Sequence, residues 1–198
     1  MKKIPSLFVR DFTSEGGRLV LDQVTPGTEW VTTGEGIATV KHDGTACLWS
    51  GGQLYARYDA KHGKTPPAGF IPAQEPDPVT GHYPGWILVT GSPAHQWHRE
   101  ALAEARRDLL VDGATYELVG PKVQGNPYRL MGHYLWQHAA SVLAHCPRTF
   151  LLLRDFLRGQ EGEEIIEGVV WHHPDGRMVK IKRRDFGFPW PPPVPSLY

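Results

Sequence analysis

The chain is poor in cysteine, in net charge and in long apolar runs, and each shortage removes a class of protein. Cys47 and Cys146 are the only cysteines among 198 residues, too few to build a small fold stapled by disulfides. Lysine and arginine total 21, and so do aspartate and glutamate. No global field therefore draws the chain to polyanions, and a nucleic-acid site must be a local patch. No stretch approaches the roughly 20 apolar residues that span a bilayer. Lys2 and Lys3 are not followed by an apolar core of signal-peptide length. The expectation is a reducing, cytoplasmic setting with no membrane attachment.

Turn chemistry is abundant. Twenty-two glycines and 18 prolines imply many turns and long ordered loops rather than a helical bundle. With 40% apolar and 21% charged residues, the composition is that of a globular protein. The length suffices for a sizeable core in a single domain over residues 1–198.

Short β-rich runs dominate the first third, at residues 6–10, 18–21, 36–40, 45–49 and 53–58. Asp43-Gly44 and Gly51-Gly52 are tight-turn pairs, which predicts a meander of antiparallel strands. Residues 61–85, rich in Pro, Gly and His, read as a loop long enough to favour a functional role. Ser92-Pro93 supplies an N-cap and first helical residue. Trp97, Ala101, Ala105 and Leu109 then recur every four residues as one apolar stripe. A second helix is predicted over residues 149–158, capped by Thr149 and ended by Gly159. Strand character returns at residues 114–119, 131–136, 165–171 and 177–182. The Pro-rich residues 188–193 cannot pair in a central strand. There is no internal repeat and no domain linker.

Four stretches carry chemistry when read in order: Lys41-His42-Asp43-Gly44-Thr45, Tyr116-Glu117-Leu118-Val119-Gly120-Pro121, Glu167-Gly168-Val169-Val170 and Lys180-Ile181-Lys182. Together they read as a nucleotide-handling constellation with a lysine nucleophile. An amine must be neutral to attack phosphorus, and a free lysine titrates at about 10.4. Nearby cations disfavour its ammonium form. The triphosphate needs positive charge, and a divalent metal needs carboxylates. Lys41, Lys180 and Lys182 meet the first need; Asp43, Glu117 and Glu167 meet the second. Lys180 and Lys182, two apart in a strand, share a face, and Lys41 and Asp43 have the same spacing. Glu167 enters an apolar strand, where an unpaired carboxylate is costly.

These stretches resemble the covalent nucleotidyltransferase superfamily, which comprises ATP-dependent RNA and DNA ligases and messenger-RNA capping enzymes. The resemblance runs from about residue 36 to 186. It implies that Lys41 is the nucleotidylated lysine, that Glu117 contacts the ribose, and that Lys180 and Lys182 hold the α-phosphate. It places Asp43 and Glu167 at a Mg²⁺ (or Mn²⁺) ion and Arg57 at the acceptor phosphate. Val40, Lys41, Glu117, Tyr134, Glu167, Lys180 and Lys182 are the implied ATP-binding set. Tyr134 and Trp136 both qualify to stack on adenine, since the sequence does not tell which face of their strand looks inward. Glu-Leu-Val-Gly-Pro, followed by Gln124-Gly125-Asn126-Pro127, and Glu-Gly-Val-Val-Trp-His are similar to the compact human-type RNA ligases. Only 16 residues follow Lys182, so no OB-fold domain is expected there, which argues against DNA ligases and capping enzymes. The implied fold is α+β, an antiparallel-sheet nucleotidyltransferase (ATP-grasp-like ligase adenylation) domain. The implied function is ATP-dependent joining of RNA 5′-phosphate and 3′-hydroxyl ends through lysyl-AMP, by a monomer. The alternatives are transfer of AMP or GMP to another acceptor, and a non-catalytic binder of nucleic-acid ends.

Blander readings compete at each motif. Alone, Lys41 to Gly44 is a hairpin turn, and residues 180–184 are a basic strand edge that blocks aggregation. Glu161, Glu163 and Glu164 read as exposed loop charges without a role. Gly63-Lys64-Thr65 is not a P-loop, because Tyr58 stands where that motif needs glycine. The histidines lack zinc-finger spacing; His95 and His98 read as helix-surface or core-edge groups, or RNA contacts. Trp49, Trp86, Trp97 and Trp171 read as core.

Overall fold

The β-rich runs become short strands whose alternate residues point to opposite faces, and the apolar sets close two separate cores. The computed structural model describes residues 4–13, 19–160 and 165–193. Arg18, Glu161, Glu163 and Glu164 lie outside the described residues. In chain order the strands are β1 (Phe8–Arg10), β2 (Val20–Val24), β3 (Ile37–Lys41), β4 (Thr45–Ser50), β5 (Gln53–Ala60), β6 (Ile71–Pro72), β7 (Tyr83–Leu88), β8 (Thr115–Val119), β9 (Tyr134–Gln137), β10 (Gly168–His172) and β11 (Met178–Lys182). The α-helices are α1 (Glu29–Thr32), α2 (Gln96–Glu104) and α3 (Phe150–Arg158). The protein is thus mixed α and β with antiparallel sheets, and the chain divides into two compact units.

One unit contains residues 4–42 and those from 139 onward. Its three-stranded sheet has the order β11-β10-β3, and β1 pairs with β2. Ala38, Val169, Trp171, Val179 and Ile181 of the sheet join Leu7, Phe8, Trp30, Val31, Leu153 and Leu157 in one core. Helix α3 forms because Leu153 and Leu157, four apart, fall on one face and are fully buried. Its ends differ from expectation. The Thr149 side chain makes no capping hydrogen bond, and Gly159 closes the helix at φ −74°, a right-handed value open to any residue. Packing of the apolar face sets this helix, not its caps.

The other unit holds residues 43–138. Its six-stranded sheet runs β6-β7-β5-β4-β8-β9. Cys47, Trp49, Leu54, Tyr116 and Leu118 pack with Ala101 of α2 and with Val123. Ser92 accepts a hydrogen bond from the Ala94 N–H and opens a 3₁₀ turn that leads into α2. The helix is shorter than its apolar stripe predicts. Ala105 turns to an extended conformation, and Leu109 falls in a separate 3₁₀ turn where it is 63% exposed. The buried face of α2 carries His98 and Ala101, and His95 just before the helix is buried too, so neither histidine is a surface group. Trp49, Trp86 and Trp171 are buried, while Trp97 is half-buried and stacked on His133 with ring centroids 4.7 Å apart.

Two further expectations change. The long predicted loop of residues 61–85 contains β6 and the start of β7, which pair with each other. The Asp43-Gly44 pair does not close a hairpin, because β3 pairs with β10 whereas β4 pairs with β5 and β8. Gly44 serves close approach instead. A Cβ built there would lie 2.1 Å from the Leu118 carbonyl oxygen and 2.9 Å from Glu117 Cγ.

The α3 account predicts unequal mutants. Leu157→Ala lowers the unfolding free energy by about 2–5 kcal/mol, while Thr149→Ala changes it by less than about 0.5 kcal/mol. Urea titrations of the two variants check both values.

Candidate active site

The three lysines emerge from one face of the three-stranded sheet. Lys41 pairs with Gly168, and Gly168 pairs with Lys182; one step along, Thr39 pairs with Val170, and Val170 with Lys180. Directly opposed residues of an antiparallel sheet share a face. Val40, Val169 and Ile181 take the opposite, core-facing side. The Val40 side chain therefore points away from the lysines, and its N–H donates to the Ser141 carbonyl. Gly168 separates Lys41 from Lys182 in the row. It is the residue that fits there, since a Cβ would lie 2.1 Å from the Ile181 carbonyl oxygen.

Glu167, just before β10, is buried with 6% exposure. Its Oε2 pairs with Lys41 Nζ, and its Oε1 lies 3.7 Å from Lys182 Nζ. The carboxylate that the sequence placed in an apolar strand is thus compensated by two cations. Lys41 Nζ also donates to the His42 carbonyl at 3.2 Å. Burial, together with the charges of Lys41 and Lys182, pushes the Lys180 amine down to about 8, against the opposing pull of Glu167 and Asp185.

The end of β11 is fixed by groups that carry no local motif. The Lys182 N–H donates to Asp185 Oδ2 at 2.9 Å, and Asp185 Oδ1 accepts from Arg10 at 2.7 Å. Arg183 is 2% exposed and donates to the carbonyls of Leu157, Gln160 and Pro189. It is a buried tie, not part of a solvated basic edge. Arg10 and Asp185 are 175 positions apart, so no spacing in the sequence could have paired them.

Asp43, Arg57, Glu117 and Tyr134 belong to the other unit. In its sheet, Ala46 pairs with Glu117 and Glu117 with Trp136, while Val119 pairs with Tyr134. Tyr134 and Trp136 therefore both share the Glu117 face, which the sequence left open. Tyr134 is 39% exposed. Leu48 pairs with Tyr55, so Arg57, two residues on, lies on that same face. Its guanidinium sits 5.2 Å from the centroid of Trp86, a cation–π contact. Glu117 Oε2 meets His138 Nε2 at 2.7 Å, and His138 Nδ1 meets Thr115 Oγ1 at 2.9 Å.

Asp43 lies outside β3, so its spacing from Lys41 does not put both side chains on one strand face. Its N–H donates to Tyr128 Oη at 2.6 Å, and Gln124 donates to the Gly44 carbonyl. The Tyr128 ring leans on Trp136 with centroids 4.8 Å apart. Gln124, Asn126 and Arg129 all adopt positive φ, a strained conformation for non-glycine residues. Asn126 stabilises the loop by bonding both the N–H and the carbonyl of Leu130. Tyr128 and His138 are side chains that the motifs did not single out.

The lysine face suits a polyanion. Among the described residues, no cluster of three or more His, Cys, Asp or Glu forms a metal cage. No helix among them is long and apolar enough to cross a membrane.

A family model described as RNA ligase 1 matches residues 107–197, a span that includes Glu117, Tyr134, Glu167, Lys180 and Lys182. RNA ligase 1 of Pongo abelii is 32% identical over 174 residues, covering 68% of this chain and 52% of that protein. The Mus musculus protein of the same name is 30% identical over 233 residues, covering 82% of this chain and 69% of its own length. The Rattus norvegicus protein gives 30% identity over 233 residues, with coverages of 82% and 70%. The chain thus spans about half of the orangutan relative and just over two thirds of the rodent ones.

The lysine face yields a pH prediction. Folded Lys180 releases its proton near 8, whereas an unfolded lysine does so near 10.4. Between those values the unfolded chain binds more protons, so this group makes stability rise with pH across the window. Lys180→Met removes the penalty. It raises Tm at pH 7, and the advantage shrinks steadily above about pH 8 and is nearly gone by about pH 10.5. Thermal melts at stepped pH check it.

Proposed function

This chain belongs to the RNA ligase 1 family, and from that premise we propose that it is an ATP-dependent RNA ligase built on a nucleotidyltransferase domain. It joins 5′-phosphate and 3′-hydroxyl RNA ends through a covalent adenylate on Lys41. The observation that carries this reading is the row Lys41, Gly168, Lys182 with the buried Glu167 paired to both lysines. A nucleophilic amine and a charge-stabilising pair share one face, and nothing in a merely structural sheet calls for that.

In the first step the Lys41 amine, having lost a proton, attacks the α-phosphorus of ATP. A P–N bond forms, the bond to the β-phosphate oxygen breaks, and pyrophosphate leaves with the electron pair. Lys180 and Lys182 neutralise charge that builds on the α-phosphate. Glu117 accepts from the ribose, and Tyr134 or Trp136 stacks on adenine. Val40 takes part through its main chain alone, because its side chain faces the core. Asp43 and Glu167 would hold a divalent cation, Mg²⁺ or Mn²⁺, which when bound supplies further charge neutralisation at the phosphates. In the second step an oxygen of the RNA 5′-phosphate displaces Lys41, so the P–N bond breaks and the amine is restored. Arg57 clamps the 5′-phosphate. In the third step the 3′-hydroxyl oxygen attacks that phosphorus, AMP leaves, and the strand is sealed. All three steps are phosphoryl transfers, governed by positioning and electrostatics.

Incubation with Mg²⁺ and ATP labelled at the α-phosphate, followed by a denaturing gel and peptide mapping, tests the proposal. Label appears on Lys41, is abolished in Lys41→Ala, and falls about 10²–10³-fold in Lys182→Ala. A folded wild-type chain that takes no label from ATP would sink the ligase reading. Label from GTP alone would point instead to transfer onto another acceptor.

A further inference from the structure

We propose that His138 is a positioning residue: it fixes one oxygen of Glu117 so that the other meets a sugar hydroxyl, and it thereby sets the preference for a ribonucleotide. The inference rests on the ligase reading of Glu117. Thr115 and Glu117, two apart on β8, share a face, and His138 follows β9 directly. The His138 N–H donates to the Thr115 carbonyl at 3.1 Å, which extends the β8–β9 ladder by one residue and sets the ring opposite Thr115. From there Nδ1 reaches the Thr115 hydroxyl and Nε2 reaches diagonally to Glu117 Oε2.

The partners select the tautomer. An ionised carboxylate only accepts, so Nε2 carries the proton and donates it to Glu117. A hydroxyl can donate or accept, so Thr115 satisfies Nδ1 in either role. The result is a carboxylate, 8% exposed, with one oxygen fixed by a charge-assisted bond. Among the described residues no hydrogen bond engages Oε1, which leaves that oxygen to accept from a ligand. Ala46, paired with Glu117 on the neighbouring strand, brings no polar side chain to compete for the carboxylate. A held acceptor rewards a hydroxyl at one position and is left unpaired when the hydroxyl is missing. That is how a polar site rejects a deoxy analogue.

The test measures Lys41 labelling by the wild type and by His138→Ala, His138→Gln and Thr115→Val. Each is assayed against ATP, 2′-deoxyATP and 3′-deoxyATP over a range of concentrations. The wild type prefers ATP over at least one deoxy analogue by about tenfold or more. His138→Ala raises the KM for ATP by about tenfold, with a smaller change in kcat, and the preference collapses. His138→Gln, whose amide nitrogen stands in for Nε2, restores the preference; Thr115→Val shifts it partway in the direction of the alanine variant. A purely structural histidine would give equal losses for all three nucleotides, and that result overturns the inference while leaving the ligase reading intact. A wild type that labels equally well with all three does the same. A wild type that forms no adduct with any of them overturns both.

Discussion

One buried carboxylate, Glu167, makes the lysine face of the three-stranded sheet tolerable. Adjacent strands lie about 4.8 Å apart, so Lys41 and Lys182, two strands apart, stand about 10 Å from each other at their Cα atoms. Their ammonium groups, both drawn to the one Glu167 carboxylate, lie closer together than that and repel, and Lys180 adds a third charge nearby. Glu167 is paired to two of the three, and each pairing also offsets the cost of burying the carboxylate. Lys180 lies outside those pairs, and its amine is driven down first by burial and then by the charges of Lys41 and Lys182.

Two glycines, one in each unit, are needed for space rather than for backbone freedom. Gly168 lets β10 pass between the lysine-bearing strands without a side chain of its own, and Gly44 lets the chain lie flush against Glu117 and Leu118. Any larger residue at either position forces backbone apart, because the atoms met are main-chain carbonyls. Both glycines sit inside the stretches that the sequence reading singled out, so those stretches encode backbone proximity.

The strands were legible because alternation is a local property. Nearly every β-rich run became a strand, and the two-residue spacing of Lys180 and Lys182 did put both on one face. What local pattern could not supply was partnership. Asp43-Gly44 reads as a hairpin turn by composition, yet the strands on either side pair elsewhere. The apolar stripe of α2 continues in sequence beyond Glu104, but the chain leaves the helix there, and the N–H of Val111 is taken by Tyr116 Oη. Thr149 and Gly159 are the residue types that cap helices, though neither supplies its usual device at α3. Arg10, Tyr128, Asp185 and His138 act through partners far away in sequence or across a sheet, and such pairings leave no spacing to read.

The Lys41-His42-Asp43-Gly44 motif shows how far its geometry lies from a simple turn. Lys41 ends β3 in one unit, and Asp43 and Gly44 belong to the other. The first part is registered by β10 and the Glu167 pairing. The second is clasped by Tyr128, Gln124 and the close approach of Gly44 to β8. An isolated hairpin would fix all four residues by the backbone torsions of its two central residues. Here four consecutive residues are fixed at both ends by long-range contacts, and the clasping loop holds three non-glycine residues at positive φ. Backbone strain of that kind persists only where the surrounding structure over-determines it. The placement of Lys41 is therefore a property of its own sheet and that of Asp43-Gly44 a property of the clasping loop, and a four-residue motif reports neither by itself.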